Sequence, residues 1–263
     1  MIKERKMDLF YREYGEGKPV IILHGLLGIS DNWVAVSRKL AEKGYRVLIP
    51  DQRNHGQSPH HPVLNYYALT DDLSEFIESK KLVMPVILGH SMGGKVAMRY
   101  TLENPNSVDR LIIVDTSLRT YVRFNYHLKL IDAMLSVDFS KAGSRQEVET
   151  LLSEKVRDER LVQFLMKNLY WKEKRRLGWR PNLQAISNHV DMMYDGIFYS
   201  TRFEKPALFI RGGKSDYILE EDYPAIYKNF PQAVIKTIEN GTHWVHADEP
   251  EEFYSLLVKF LKS

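Results

Sequence analysis

The sequence predicts an α/β protein whose mostly parallel sheet is covered by helices on both faces. Three observations point there. Short aliphatic runs end in turn-rich clusters, segments of helical periodicity lie between them, and this alternation lapses once, over residues 118–203. The runs are residues 20–23 before H-G-L-L-G, 46–49 before P-D-Q-R-N-H-G, 86–88 before G-H-S-M-G-G, 111–114 before D-T-S, and 207–210 before R-G-G-K-S-D. Continuous apolar runs of this length suit strands buried on both faces, the pattern of a parallel sheet.

Helical signals fill the intervals. Ser30 and Asp31 are candidate caps for a helix running to Lys43, with Gly44 as its stop. Leu69, Leu73, Phe76 and Ile77 make one apolar stripe. A helix from Met92 to Glu103 meets a stop at Asn104 and Pro105, and Pro250 suits the first turn of a last helix carrying Phe253, Leu256, Leu257 and Phe260. The strand–helix beat implies βαβ units. Residues 1–117 and 204–263 are therefore expected to form the core, and 118–203 a mostly helical insertion over the C-terminal edge of the sheet.

Composition excludes several function classes. The 263 residues hold 44% hydrophobic and 27% charged side chains, an ordinary globular balance. Without cysteine there are no disulfides, thiolate metal sites or cysteine nucleophiles. The 37 basic residues against 34 acidic ones give +3, no sign of a nucleic-acid partner. No apolar stretch is long enough for a membrane span. The M-I-K-E-R-K-M-D start lacks the apolar segment of a secretory signal, so a cytoplasmic location is expected.

The chemistry concentrates at G-H-S-M-G, where Gly89 and Gly93 flank Ser91 directly after a strand and before a helix. A tight strand-to-helix turn needs small neighbours and lifts the serine hydroxyl above the sheet. That makes Ser91 a candidate nucleophile. His24 and Gly25 open H-G-L-L-G after the first long run, where the Leu26 N–H, with that of Met92, can hold a developing oxyanion. A serine needs a neutral imidazole to take its proton. His243, in N-G-T-H-W-V-H after the last run (234–238), is preferred over His246 because the Gly241 turn precedes it. For the orienting carboxylate, Asp216 in G-G-K-S-D-Y is preferred and Asp115 is the alternative, since both follow a strand and keep the order Ser, Asp, His.

Other patterns are weaker. Gly89 to Lys95 also fits a phosphate-binding G-x-x-x-x-G-K, but Val96 stands where a hydroxyl must reach magnesium. A metal site built on the H-W-V-H pair lacks further ligands, so no metal is expected. Asp51 and Arg53 in D-x-R-x-x-G-x-S are read as a brace for their loop. The run K-E-K-R-R (172–176) is read as a solvated face. Tyr121, Phe124, Tyr170, Trp171 and Trp179 either wall an acyl pocket or form the insertion's own core.

In order, H-G-L-L-G, D-Q-R-N-H-G-Q-S, G-H-S-M-G-G-K, V-D-T-S, G-G-K-S-D-Y and G-T-H-W-V-H-A-D resemble the α/β-hydrolase fold family. Within it they are most similar to the YbfF-type esterases, related to mitochondrial abhydrolase-domain esterases. The resemblance runs over nearly the whole chain. It implies an eight-stranded, mostly parallel sheet with a helical cap inserted after strand 6, and hydrolysis of carboxylic esters or thioesters without a cofactor. It places nucleophile, base and oxyanion donors at Ser91, His243, Leu26 and Met92. It also strengthens Asp115, because the D-x-S or D-x-A segment takes the acid role in members lacking a later one. Here D-T-S-L lacks the proline of the usual D-I-A-P or D-I-S-P.

The expected activity is thus cleavage of a small-molecule ester or acyl-CoA-like substrate, of small to medium acyl size, through an acyl-enzyme. The alternatives are carbon–carbon bond hydrolysis or perhydrolysis by the same triad, and, in a different class, a low-turnover ligand-binding protein. Epoxide or haloalkane hydrolysis would need an aspartate where Ser91 stands.

Overall fold

The computed structural model describes residues 7–122, 125–173 and 176–263. Among them nine strands form: β1 (Tyr11–Tyr14), β2 (Lys18–Leu23), β3 (Tyr45–Pro50), β4 (Val86–His90), β5 (Arg110–Val114), β6 (Leu169–Glu173), β7 (Arg176–Trp179), β8 (Ala207–Gly212) and β9 (Ala233–Ile238). β6 and β7 pair with each other as an antiparallel hairpin, and the other seven build one sheet in the order β1-β3-β2-β4-β5-β8-β9. Every ladder in that sheet is parallel except β1 against β3. The helices are α1 (Val34–Ala41), α2 (Tyr66–Ser79), α3 (Met92–Glu103), α4 (Tyr126–Leu135), α5 (Arg145–Ser153), α6 (Glu159–Met166), α7 (Leu183–Asn188), α8 (Tyr223–Asn229), α9 (Val245–Asp248) and α10 (Pro250–Lys262).

The aliphatic runs are explained by two cores, one on each face. Ile21, Leu48, Ile87, Leu111 and Phe209 point to the face packed by α2 and α3. Their neighbours Val20, Val47, Leu88, Ile112 and Leu208 point the other way, against Trp33 and Leu40 and against Phe253 and Leu257 of α10. Alternate side chains of a strand face opposite sides, so burial on both faces demands an unbroken apolar run.

Three expectations are corrected. The sheet has seven strands among the described residues rather than eight. Just before β1, Phe10 anchors a loop: its N–H donates to Ser58 Oγ and its carbonyl accepts from the Asp51 N–H. Consequently residues 118–203 follow the fifth strand, not a sixth. That stretch also holds the β6–β7 hairpin beside its helices α4 to α7. Finally, neither Ser30 nor Asp31 caps the first helix. Ser30 lies in a 3-10 turn, its N–H donates to Asp51 Oδ1, and Asn32 Oδ1 accepts from the Ile29 N–H.

The two ends of the stretch 118–203 are bonded to each other where it joins the sheet. The Ile197 N–H donates to the Leu118 carbonyl (2.7 Å), and the Tyr121 N–H to that of Tyr194 (2.9 Å). Lys95, buried in α3, holds both ends: its ammonium donates to the carbonyls of Arg119 and Asp195 over the Tyr121 ring. Burial pulls its pKa down to about 7. The lysine of the G-x-x-x-x-G-K pattern thus serves backbone carbonyls.

Arg53 also finds an unexpected partner. Its guanidinium grips Asp72 of α2 through two bonds of 2.5 and 2.6 Å, both groups buried, while Asp51 accepts from the Ser30 and Gln57 N–H groups. Removing one partner of a buried pair strands the other's charge. Arg53→Met is therefore expected to cost about 3–5 kcal/mol of stability, read as a lower midpoint in urea unfolding.

Candidate active site

Because their strands are parallel, β2, β4, β5 and β8 all end on one edge of the sheet, and each end carries a residue of the site. At the tip of β4, Ser91 has φ 52°, a conformation that side chains rarely adopt. Its neighbours must be small. A Cβ on Gly89 would stand 2.7 Å from Gly94 Cα, and one on Gly93 would stand 2.7 Å from the His24 carbonyl oxygen. The strained turn projects Ser91 into the space above the sheet, at the start of α3.

The loop after β2 packs onto this turn. A Cβ at Gly25 would lie 3.2 Å from Ser91 Cβ, which brings the Gly25–Leu26 backbone beside the serine. His24 holds that loop. Its Nε2 accepts from the Gln52 N–H (3.0 Å), so the proton sits on Nδ1, which donates to the Gly25 carbonyl (2.8 Å). Burial keeps this ring neutral, with its pKa lowered to about 4. Among the described residues the N–H groups of Leu26 and Met92 donate to no protein acceptor.

The carboxylate that meets His243 is that of Asp115, not Asp216. Asp115 ends β5 with φ 47° and is fully buried. Its Oδ1 accepts from the Gly212 N–H (2.9 Å); its Oδ2 accepts from Ser215 Oγ (2.5 Å) and from His243 Nδ1–H (2.8 Å). Asp216 is exposed, and its carbonyl is occupied by Arg119 Nη2 (2.6 Å). The loop after β8 thus turns Ser215 onto Asp115, while Asp216, the preferred acid of the sequence reading, lines the smaller cavity without a bond to His243.

His243 is fixed from several sides. Its ring stacks on Tyr217 at 3.9 Å, and its carbonyl accepts from His90 Nε2–H at 2.8 Å. His90, the residue before the serine, therefore clamps the backbone of the histidine loop; burial and the nearby His243 lower its pKa well below the usual value. His246 lines the larger cavity but meets no carboxylate of the site; it stacks on Trp33 at 4.2 Å and is held neutral by burial, with a pKa of about 3.

A family model described as the alpha/beta hydrolase fold matches residues 18–250. The chain belongs to the α/β-hydrolase fold family. It is 40% identical to the sn-1-specific diacylglycerol lipase ABHD11 of Danio rerio, covering 94% of this chain and 80% of that protein. It is 31% identical to the esterase YbfF of Escherichia coli K12, covering 92% of each. Among solved structures, a marine microorganism esterase superposes with a TM-score of 0.93 at 40% identity, over 97% of this chain and 99% of that one. The expected YbfF-type branch is met, and the chain is a serine hydrolase whose relatives are named as esterases and a lipase.

In this α/β-hydrolase two cavities meet at the serine, one of about 610 Å³ and one of about 490 Å³. Ser91, Tyr126, His127, His243 and Trp244 line both. Leu26 and Phe164 belong to the larger, Met92 and Tyr121 to the smaller. Of the other aromatic residues considered, Tyr170, Trp171 and Trp179 belong to the hairpin and line neither cavity. Phe124 lies outside the described residues, as do Lys174 and Arg175 of the basic run; Lys172 and Arg176 are exposed.

Sequence reasoning missed four contributors: His90, His127, Ser215 and Tyr217. His90, Ser215 and Tyr217 stand inside quoted motifs, but as the variable letters of each. His127 carries no local signal, because what matters is the helix face that presents it.

Proposed function

We propose that this protein hydrolyses carboxylic esters, and thioesters of similar shape, through an acyl-enzyme on Ser91. The observation that carries the reading is the His243–Asp115 contact, with His243 lining the same two cavities as a serine held in a strained turn. A carboxylate can only accept, so Nδ1 of His243 keeps its proton and Nε2 is left with a lone pair for the serine hydroxyl. In this mechanism Nε2 takes the Ser91 proton as Oγ attacks the carbonyl carbon. The carbonyl electrons move onto oxygen, where the Leu26 and Met92 N–H groups receive them. Collapse of this intermediate expels the alkoxide or thiolate, which leaves with the proton from His243. Water then attacks the acyl-enzyme by the same route, releasing a carboxylic acid and restoring Ser91.

Preorganised backbone donors of this kind are typically worth about a hundred- to thousandfold in rate. The names of the relatives support an ester or lipid ester as substrate class. Two cavities flanking the serine leave room for a group on each side of the scissile bond. Two measurements test the reading. A fluorophosphonate probe should label Ser91 in the folded protein, located by peptide mass spectrometry. A panel of p-nitrophenyl esters and acyl-CoA thioesters of rising length should then show a steep optimum. A folded protein that takes no label and turns over no member of the panel refutes it.

A further inference from the structure

One polar side chain at the junction of the two cavities has no task in the mechanism. His127, in the first turn of α4, lines both cavities together with Ser91 and His243. Its ring leans on Tyr126 and Tyr194, at centroid distances of 5.5 and 6.0 Å. Its Nδ1 is buried with no hydrogen-bonding partner among the described residues. Burial, aided by His243, lowers its pKa to about 4, so the imidazole is neutral at pH 7.

A neutral imidazole carries one N–H and one lone pair, and a buried N–H without an acceptor is the costlier of the two to strand. The proton therefore belongs on Nε2, leaving the lone pair at the enclosed Nδ1. The ring thus offers a donor to whatever occupies the junction, where Leu130, Phe164 and Met193 line the cavities together with polar groups such as Tyr126 and Gln163. A donor in such a wall is a means of selection: a ligand acceptor that meets it takes the place of water, and a ligand that only covers it leaves it stranded.

We propose that His127 is a specificity-determining residue, whose ring N–H donates to an uncharged acceptor oxygen that the substrate carries close to its scissile ester. The preferred substrates are then esters with a second ether or ester oxygen within a few bonds of the reacting carbonyl. This rests on the ester-hydrolase reading and adds to it the part of the substrate that His127 recognises.

Matched esters that differ by one CH₂-to-O replacement test it. Butyl and 2-methoxyethyl butanoate probe the alcohol side; pentanoate and 3-methoxypropanoate, as methyl esters, probe the acyl side. Rates of alkaline hydrolysis correct for intrinsic reactivity. On at least one side, the native protein should favour the ether member by roughly three- to tenfold in kcat/KM, the size of one neutral hydrogen bond. His127→Phe should abolish that preference and His127→Gln, which keeps an N–H donor, should retain part of it. Equal loss on ether and methylene members would show a packing role and overturn the proposal. A native protein with no preference on either side would overturn it without any variant, even if the substituted chains failed to fold. Labelling of Ser91 separates the two levels. With label and turnover but no ether preference, the selectivity proposal alone fails; with neither in a folded protein, the ester reading fails as well.

Discussion

Ser91→Ala is expected to lower ester turnover by about 10⁶-fold, the loss found when the nucleophile of a comparable triad is removed, while the fold persists. The size follows from what remains. Without Oγ the imidazole of His243 has no proton to take and no acyl-enzyme forms. The Leu26 and Met92 N–H groups can still polarise a bound carbonyl, so activity falls to the level those donors sustain. Folding should be spared because the turn is held by bonds that the side chain does not make. The Ser91 N–H donates to the Val114 carbonyl, and the Ser91 carbonyl accepts from the Gly94 and Lys95 N–H groups. Initial rates on a p-nitrophenyl ester, with circular dichroism of the same preparation, check both halves. A variant retaining more than about one per cent of the native rate would exclude Ser91 as the nucleophile.

Asp115→Asn is expected to cost roughly 10⁴-fold in kcat, whereas Asp216→Asn should stay within about threefold of the native enzyme. An asparagine at 115 keeps an oxygen for the Gly212 N–H and so preserves much of the local geometry. Its amide, however, presents an N–H toward His243 Nδ1. That pairing moves the imidazole proton to Nε2, where it meets the serine hydroxyl donor to donor and leaves no base. At 216 the carboxylate is exposed and only the backbone carbonyl is engaged, so neutralising the side chain disturbs neither. Measuring kcat and KM for both variants decides the assignment, and a reversed order of losses would return the acid to Asp216.

Much of the sheet was legible because burial on two faces leaves an unmistakable trace: V-I-I-L, R-V-L-I, V-I-L, L-I-I-V and A-L-F-I all became strands. β1, Y-R-E-Y, escaped notice because an edge strand has one half-exposed face and spaces its apolar groups with charges. The hairpin escaped for the same reason, since Trp171, Lys172 and Glu173 are exposed. At the site, the serine and both glycines could be read from spacing alone, because a strained turn restricts which residues can flank it. The acid could not. Asp115 and Asp216 follow neighbouring strands, roughly 5 Å apart in any sheet, and the letters are equally compatible with either. What separates them is the positive φ at Asp115, which aims its carboxylate at the Gly212 N–H, and the turn of Ser215 onto it.

Ser91, Asp115 and the Gly25–Leu26 loop follow adjoining strands of one sheet, while the stretch 118–203 faces them, its two ends bonded to Lys95. On the proposed reading, the strand-tip loops carry the bond-breaking groups, and helix residues such as His127 and Phe164 share in shaping what is bound. Substitutions at those helix positions are then expected to change which compounds are turned over, and substitutions of Ser91 or Asp115 to slow all of them.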